Sequence, residues 1–158
     1  GNPLGGFCVM NELTEAELGY LAGLLDGEGC INITKDGPRY YKLQVTFSQT
    51  NEALLSHWQQ RTGIGKVYLK PVRGRNRSDC WEWHMNHQRA ATLLRAILPY
   101  VILKKQEAIV AIEFMDMCAK QLPSYHGGAM TDEMLETREA YKDKLHDLKA
   151  ARAGRHMA

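Results

Sequence analysis

No stretch of this chain approaches 18 consecutive apolar residues, which excludes a membrane-crossing helix. The first ten residues place no basic segment ahead of an apolar one, so no secretory leader is expected. Segment 1–10, with its Gly and Pro, is expected to be a flexible arm or a tag remnant. The cysteines, Cys8, Cys30, Cys80 and Cys118, lie 22, 50 and 38 residues apart with no Cys-x-x-Cys, which excludes a zinc ribbon and a thioredoxin-like pair. Cys30 and Cys80 fall in strand-like runs and are expected to be reduced, which fits an intracellular, reducing location and no membrane partner. No repeat recurs at a fixed period.

What is present is the ordinary balance of a folded chain. The 158 residues are 44% hydrophobic and 24% charged, enough for one core and one domain, expected over 11–151 with a C-terminal tail at 152–158. The net charge is only +2, yet it is unevenly spread. Residues 1–60 carry 3 Lys/Arg against 7 Asp/Glu, residues 61–105 carry 10 against 2, and residues 106–158 carry 7 against 9. The basic middle third suits a polyanion, although a solvated basic face would have the same composition.

A helix is expected from Thr14 to Gly27, because Thr14 and Glu17 form a capping box and Gly27 and Gly29 bracket the end as capping glycines do. Ile31 and Ile33 then alternate with Asn32 and Thr34, and after the Asp36-Gly37-Pro38 turn Leu43, Val45 and Phe47 alternate with polar neighbours, giving a hairpin. A helix over 51–60, a third strand at 66–70, a basic turn at 73–77 and a fourth strand with Trp81, Trp83 and Met85 inward follow. Helices are expected over His87–Leu98, Tyr100–Gln121 and Thr131–Ala151, with Pro99 and the 123–128 loop between them. Trp58, Trp81 and Trp83 read as core. The mixed charge of 132–149 reads as a solvated face. The fold class is α+β, in the order α-β-β-α-β-β-α with a four-stranded antiparallel sheet and extra C-terminal helices.

All four strands keep one polar face. It comprises Asn32, Thr34, Lys42, Gln44, Thr46, Ser48, Lys66, Tyr68, Lys70, Glu82 and His84, with Arg39 and Tyr40 at the first turn. Such side chains can read base edges in a major groove, and Arg73, Arg75 and Arg77 can grip phosphates. An exposed antiparallel face would also be polar. Four strands with few carboxylates beside an Arg-rich turn favour DNA. His84 and His87 share the next junction, where no metal is expected.

Residues 21–29, LAGLLDGEG, form an unusual helix end. Gly19 and Gly23 share a face with Ala22 beside them, and each glycine inside a helix costs about 1 kcal/mol relative to alanine. Close approach of another backbone would explain both. Glu28 stands at the negative end of the helix dipole, an unfavourable place for a carboxylate unless a divalent cation reverses the penalty. Two copies of Glu28 meeting at a two-fold axis would make hard-oxygen ligands for Mg²⁺, suited to phosphodiester hydrolysis. A buried helix packed through glycine and followed by an exposed Glu remains an equal reading of this segment alone.

LAGLLDGEG resembles the signature of the LAGLIDADG homing endonucleases, and the resemblance extends over about Glu15 to Gln121 through TFSQTNEALL at 46–55 and LPYVILKKQEA at 98–108. With one signature, the chain resembles the single-motif, homodimeric members. The resemblance implies a Mg²⁺-dependent, sequence-specific double-strand DNA endonuclease acting at a long pseudo-palindrome, with Mn²⁺ able to substitute and Ca²⁺ binding without turnover. It also implies site roles. Glu28 and the Gly27 carbonyl would hold the metal. Gln49, or Asn51, would order water. Lys104, or Lys105, would face the scissile phosphate, and Gly19, Ala22, Gly23 and Asp26 would form the dimer interface. The alternative is an intron maturase that binds its own intron RNA on the same fold, with cleavage reduced or lost.

Overall fold

The computed structural model describes residues 9–71, 79–121 and 130–154. Helix α1 (Glu15–Glu28) begins at the expected capping box: Thr14 Oγ1 accepts from the Glu17 N–H at 3.1 Å, and the Thr14 N–H donates to Glu17 Oε1 at 3.0 Å. Arg61 then forks onto the same carboxylate at 2.6 and 2.8 Å and ties the start of α1 to the end of α2 (Glu52–Thr62). These contacts, the Thr14 N–H foremost, hold the Glu17 carboxyl below its ordinary value.

The end of α1 departs from expectation. Gly29 does not cap in a left-handed conformation, having φ −95° and opening strand β1 (Gly29–Lys35). Glycine is required there by close approach, since a Cβ would lie 2.6 Å from Leu25 Cδ1 and 2.8 Å from the Leu25 carbonyl oxygen. Left-handed glycines occur instead at Gly37 in the hairpin turn, at Gly63 after α2, and at Gly65 ahead of β3.

β1 pairs with β2 (Tyr41–Gln49), β2 with β4 (Cys80–Asn86) and β4 with β3 (Lys66–Lys70), all antiparallel, in the order β1-β2-β4-β3. Ile31, Ile33, Leu43, Val45, Phe47, Trp83 and Met85 form the apolar face, buried in one core with Leu21 and Leu25 of α1, Leu93, Leu94 and Ile97 of α3 (His87–Ile97), and Ala108 and Phe114 of α4 (Lys105–Gln121). Trp58 and Trp83 are buried as expected and Trp81 is half-buried; Trp83 also donates from Nε1 to the Ile64 carbonyl at 2.8 Å. Edge strand β3 is looser. Val67 packs on the core, but Leu69, expected inward, is exposed. Cys30, Cys80 and Cys118 are free, half-buried thiols, and burial pushes that of Cys118 up to about 11.

Two C-terminal features differ from the sequence reading. The helix expected from Tyr100 starts at Lys105, because a 3₁₀ turn at Leu98–Tyr100 is followed by a segment whose Ile102 and Lys104 N–H groups donate to the Asp26 carboxylate, both at 3.0 Å. The polar helix α5 (Asp132–Arg152) is not a free solvated face. It runs along the β1 edge and α4, burying Leu145 and Arg138, and covers backbone groups that an edge strand would otherwise expose. Lys149 Nζ donates to the Ile31 carbonyl at 3.0 Å, Arg138 Nε to Gln121 Oε1 at 2.9 Å, and Arg152 Nε to the buried Glu107 carboxylate at 2.6 Å. Arg152 therefore belongs to the folded body.

Tyr41 Oη donates to Glu139 of α5, and burial foremost, with that carboxylate next, pushes the phenol up to about 12. The folded state keeps a proton that the unfolded chain releases at about pH 10. The stabilisation is therefore complete below pH 10 and lost as the pH rises to about 12. Tyr41→Phe should cost about 1 kcal/mol at neutral pH. Its difference in urea midpoint from the native protein should shrink across pH 10–12, and a difference constant to pH 12 would refute the shift.

Candidate metal centre and nucleic-acid face

The end of α1 gathers the predicted site residues. Gly29 pairs with Phe47, so Glu28 and Gln49 lie one and two residues beyond that pair at the same end of the sheet. Glu28 is exposed, and among the described residues nothing bonds its carboxylate. Gln49 is half-buried and folds its Oε1 onto Thr50, accepting from the backbone N–H at 2.9 Å and from the hydroxyl at 3.2 Å. Its amide nitrogen carries no such contact. Asn51, the other candidate, is occupied as the α2 cap, its Oδ1 accepting from the Leu54 N–H at 3.2 Å.

Lys104 also reaches this end, but from beneath. Only 6% exposed, it donates from Nζ to the Leu25 carbonyl at 3.0 Å and to the Gly29 carbonyl. A helix leaves its last carbonyls without intrahelical partners, and the ammonium supplies them. Burial foremost, then the Arg152 guanidinium, holds this amine below the ordinary lysine value. Lys105, the neighbouring candidate, is the half-exposed first residue of α4.

Of the four residues expected at a subunit interface, two are already engaged within the protomer. Ala22 is fully buried in the protomer's own core, and the Asp26 carboxylate is spent on the 102–104 segment. Gly19 and Gly23 do lie on an open face, where Gly27 continues the row, and a Cβ built at any of the three meets nothing within 4 Å. Tyr20 beside them is half exposed, so α1 presents apolar and small residues away from its core as well as toward it.

The polar sheet face is as expected in position, but its members differ in freedom. Its rows are Thr34–Lys42, Asn32–Gln44–Asn86, Cys30–Thr46–His84–Lys66 and Ser48–Glu82–Tyr68. Lys66, Tyr68 and Lys70 are exposed. Thr46 and Glu82 are buried, and Thr34 Oγ1 is buried without a partner among the described residues. Asn32 is committed to α5, its Oδ1 accepting from Lys149 while its amide donates to Cys30 Sγ at 3.1 Å. Lys42 pairs with Asp36 at 3.4 Å. Arg39 turns toward α5, donating to the Met130 carbonyl at 2.8 Å beside Asp132. Tyr40 Oη bonds His87 Nε2 at 2.9 Å, and His87 itself sits at φ +51°, uncommon for a residue with a Cβ. Arg73, Arg75 and Arg77 lie outside the described residues.

The sequence reading missed Asn86, Arg89 and Lys149. Arg89 and Asn86 line a cleft of about 520 Å³ with Lys66, Tyr68 and His84. Asn86 continued the strand alternation and could have been found; Lys149 reaches the face only through the docking of α5.

The LAGLIDADG endonuclease family model matches residues 21–112. No curated protein sequence matches the chain. The fold is similar to that of the homing endonuclease I-CvuI in complex with the I-CreI target, with 22% identity, a TM-score of 0.68 and coverage of 85% of this chain and 82% of that one. It is also similar to the archaeal intron-encoded homing endonuclease I-Vdi141I complexed with DNA (14%, 0.69, 85% and 84%) and to the group I intron-encoded I-CeuI complexed with DNA (13%, 0.54, 72% and 60%).

The burial of Lys104 has a direct consequence for stability. Lys104→Met should cost about 2–4 kcal/mol in urea unfolding, because it leaves two helix-end carbonyls without their charged donor. A Lys104→Met chain as stable as the native one would mean that the ammonium is in solvent and free for other work.

Proposed function

Since the chain belongs to the LAGLIDADG endonuclease family, we propose that it is a sequence-specific double-strand DNA endonuclease. It works as a homodimer on a long, pseudo-palindromic site with a divalent metal, Mg²⁺ by preference. The observation that carries this reading is the unpartnered Glu28 carboxylate, standing at the end of the open Gly19–Gly23–Gly27 row and at the end of a polar sheet face. A twofold pairing through the row would bring two such carboxylates together.

The residues present fit a hard cation. Glu28 is an exposed oxygen ligand, Gly27 offers a backbone carbonyl beside it, and among the described residues no three His, Cys, Asp or Glu converge within one protomer. The second protomer's carboxylate would complete the ligand set. When bound, the ion supplies Lewis acidity to phosphodiester hydrolysis. Glu28 holds charge at the helix end, where the dipole alone would disfavour it. The free amide nitrogen of Gln49 orients water at the same end. Lys104 acts as a positioning residue by fixing the α1 carbonyls, and Lys105 presents the neighbouring half-exposed cation. Lys66, Lys70 and the 73–77 arginines contact phosphates, while the strand side chains meet base edges. The structures of I-CvuI with Mg and with Ca support divalent-metal use, with Mn²⁺ expected to replace Mg²⁺ and Ca²⁺ to bind without cutting.

Cleavage of a plasmid library in Mg²⁺ should yield double-strand cuts at one long pseudo-palindrome, absent in EDTA and reduced at least about a thousandfold in Glu28→Gln. A folded protein that shifts DNA or structured RNA but cuts no library member would sink the nuclease reading. Gly23→Arg tests the dimer separately: it should leave the protomer folded, because the position opens on empty space, and give a monomer in sedimentation. An unchanged mass would place the interface elsewhere.

A further inference from the structure

The sheet face holds a hydrogen-bond chain whose polarity is set at one end. Glu82, buried within a face otherwise suited to a polyanion, uses both of its oxygens: Oε1 meets His84 Nε2, and Oε2 accepts from Ser48 Oγ and Lys70 Nζ, each at 3.3 Å. A carboxylate can only accept, so His84 Nε2 must carry the hydrogen. Nδ1 faces an amide nitrogen, which can only donate, and is therefore the acceptor. Gln44 Nε2 lies 2.9 Å from it and must donate. The ring is held in place edge-on to Tyr68, with centroids 5.6 Å apart.

This chain fixes the Gln44 amide. One N–H is spent on His84, and the second N–H and Oε1 remain as a donor and an acceptor side by side. In a major groove that pair complements the N7 acceptor and N6 amino donor of adenine. Neighbouring polar side chains are less free, because both ends of the Asn32 amide are occupied and Thr46 is buried.

We propose that Gln44, oriented by the Glu82–His84 pair, reads an adenine in the major groove, so that the cleaved site carries that base at one position in each half. The inference rests on the DNA-cleavage reading above. It makes Gln44 a specificity residue, and His84 and Glu82 its positioning residues.

The test is a cleavage profile over targets varied one base pair at a time. For the native protein, one position per half-site should prefer adenine about tenfold or more. Gln44→Ala should flatten the preference at that position. Glu82→Gln and His84→Phe should relax it at the same position while the profile elsewhere is kept; His84→Phe retains a ring against Tyr68 should Glu82→Gln fold poorly. A purely structural role would weaken all positions alike and would overturn the proposal. So would a Gln44-dependent position that prefers another base, or one untouched by both positioning variants. A native protein that cuts its site with no Gln44-dependent position defeats this inference alone. One that neither binds nor cuts any target defeats the nuclease reading and this inference with it.

Discussion

The end of α1 is held by a reciprocal exchange with the segment before α4. Asp26, on the last turn of the helix, accepts from two backbone N–H groups of 102–104, and Lys104 from that segment donates to the carbonyls of Leu25 and Gly29. Each side thus supplies what the other's backbone lacks: donors for a helix C-terminus, and an acceptor for a chain not yet helical. The exchange sets where α1 stops and the angle at which β1 leaves, and Glu28 lies between the two. Gly29 is part of the same constraint, since no side chain fits beneath Leu25. Burying an ammonium is costly, and its depressed affinity for the proton records that cost. Two carbonyls and the nearby Glu107 and Asp26 charges offset it, while Arg152 opposes.

The Glu107–Arg152 pair extends this constraint to the last helix. Arg152 reaches the buried Glu107 from the final turn of α5, and Lys149 one turn earlier ties the helix to β1 and to Asn32. The helix that covers the β1 edge thereby also commits one side chain of the polar face. On the opposite side of that face, Glu82 is saturated by Ser48, Lys70 and His84. On a face proposed to meet a polyanion, a carboxylate is tolerable only when its charge is met in this way. The face is therefore a division between side chains fixed by the fold and side chains left for a ligand.

Much of this was legible in the sequence because it depends on local periodicity. The Thr14–Glu17 capping box, the alternation of β1, β2 and β4, and the Asn51 start of α2 all lie within a few residues of their partners. The nearness of Glu28 and Gln49 at one end of the sheet agrees with the resemblance, whereas Lys104, expected to face a phosphate, is buried beneath the helix end. What the sequence could not carry was contact across long separations. Lys104 is buried because Leu25 and Gly29 lie over it, 79 and 75 residues away. Helical spacing set Ala22 beside Gly19 and Gly23, and only the fold buries it in the protomer's own core; Asp26, given to the interface by the resemblance, bonds a segment 76 and 78 residues away. The polar α5 read as solvated because its docking is made by ion pairs and long cationic side chains, whose composition is that of a surface.

The two-sided character of α1 bears on how the site would be assembled. Leu21, Ala22 and Leu25 satisfy its inner face, and that packing alone would support the helix. The outer row of Gly19, Gly23 and Gly27 contributes nothing to the protomer; it forfeits about 1 kcal/mol per interior glycine in helix propensity and leaves empty space. Within the proposed homodimer that loss has a purpose, because the absence of Cβ atoms lets two helices approach closely. The same approach brings the two Glu28 carboxylates near one another, where their repulsion adds to the unfavourable helix dipoles. A divalent cation removes both penalties at once, so dimerisation and metal binding at this site would be thermodynamically linked: each would strengthen the other, and neither would be complete in a single protomer.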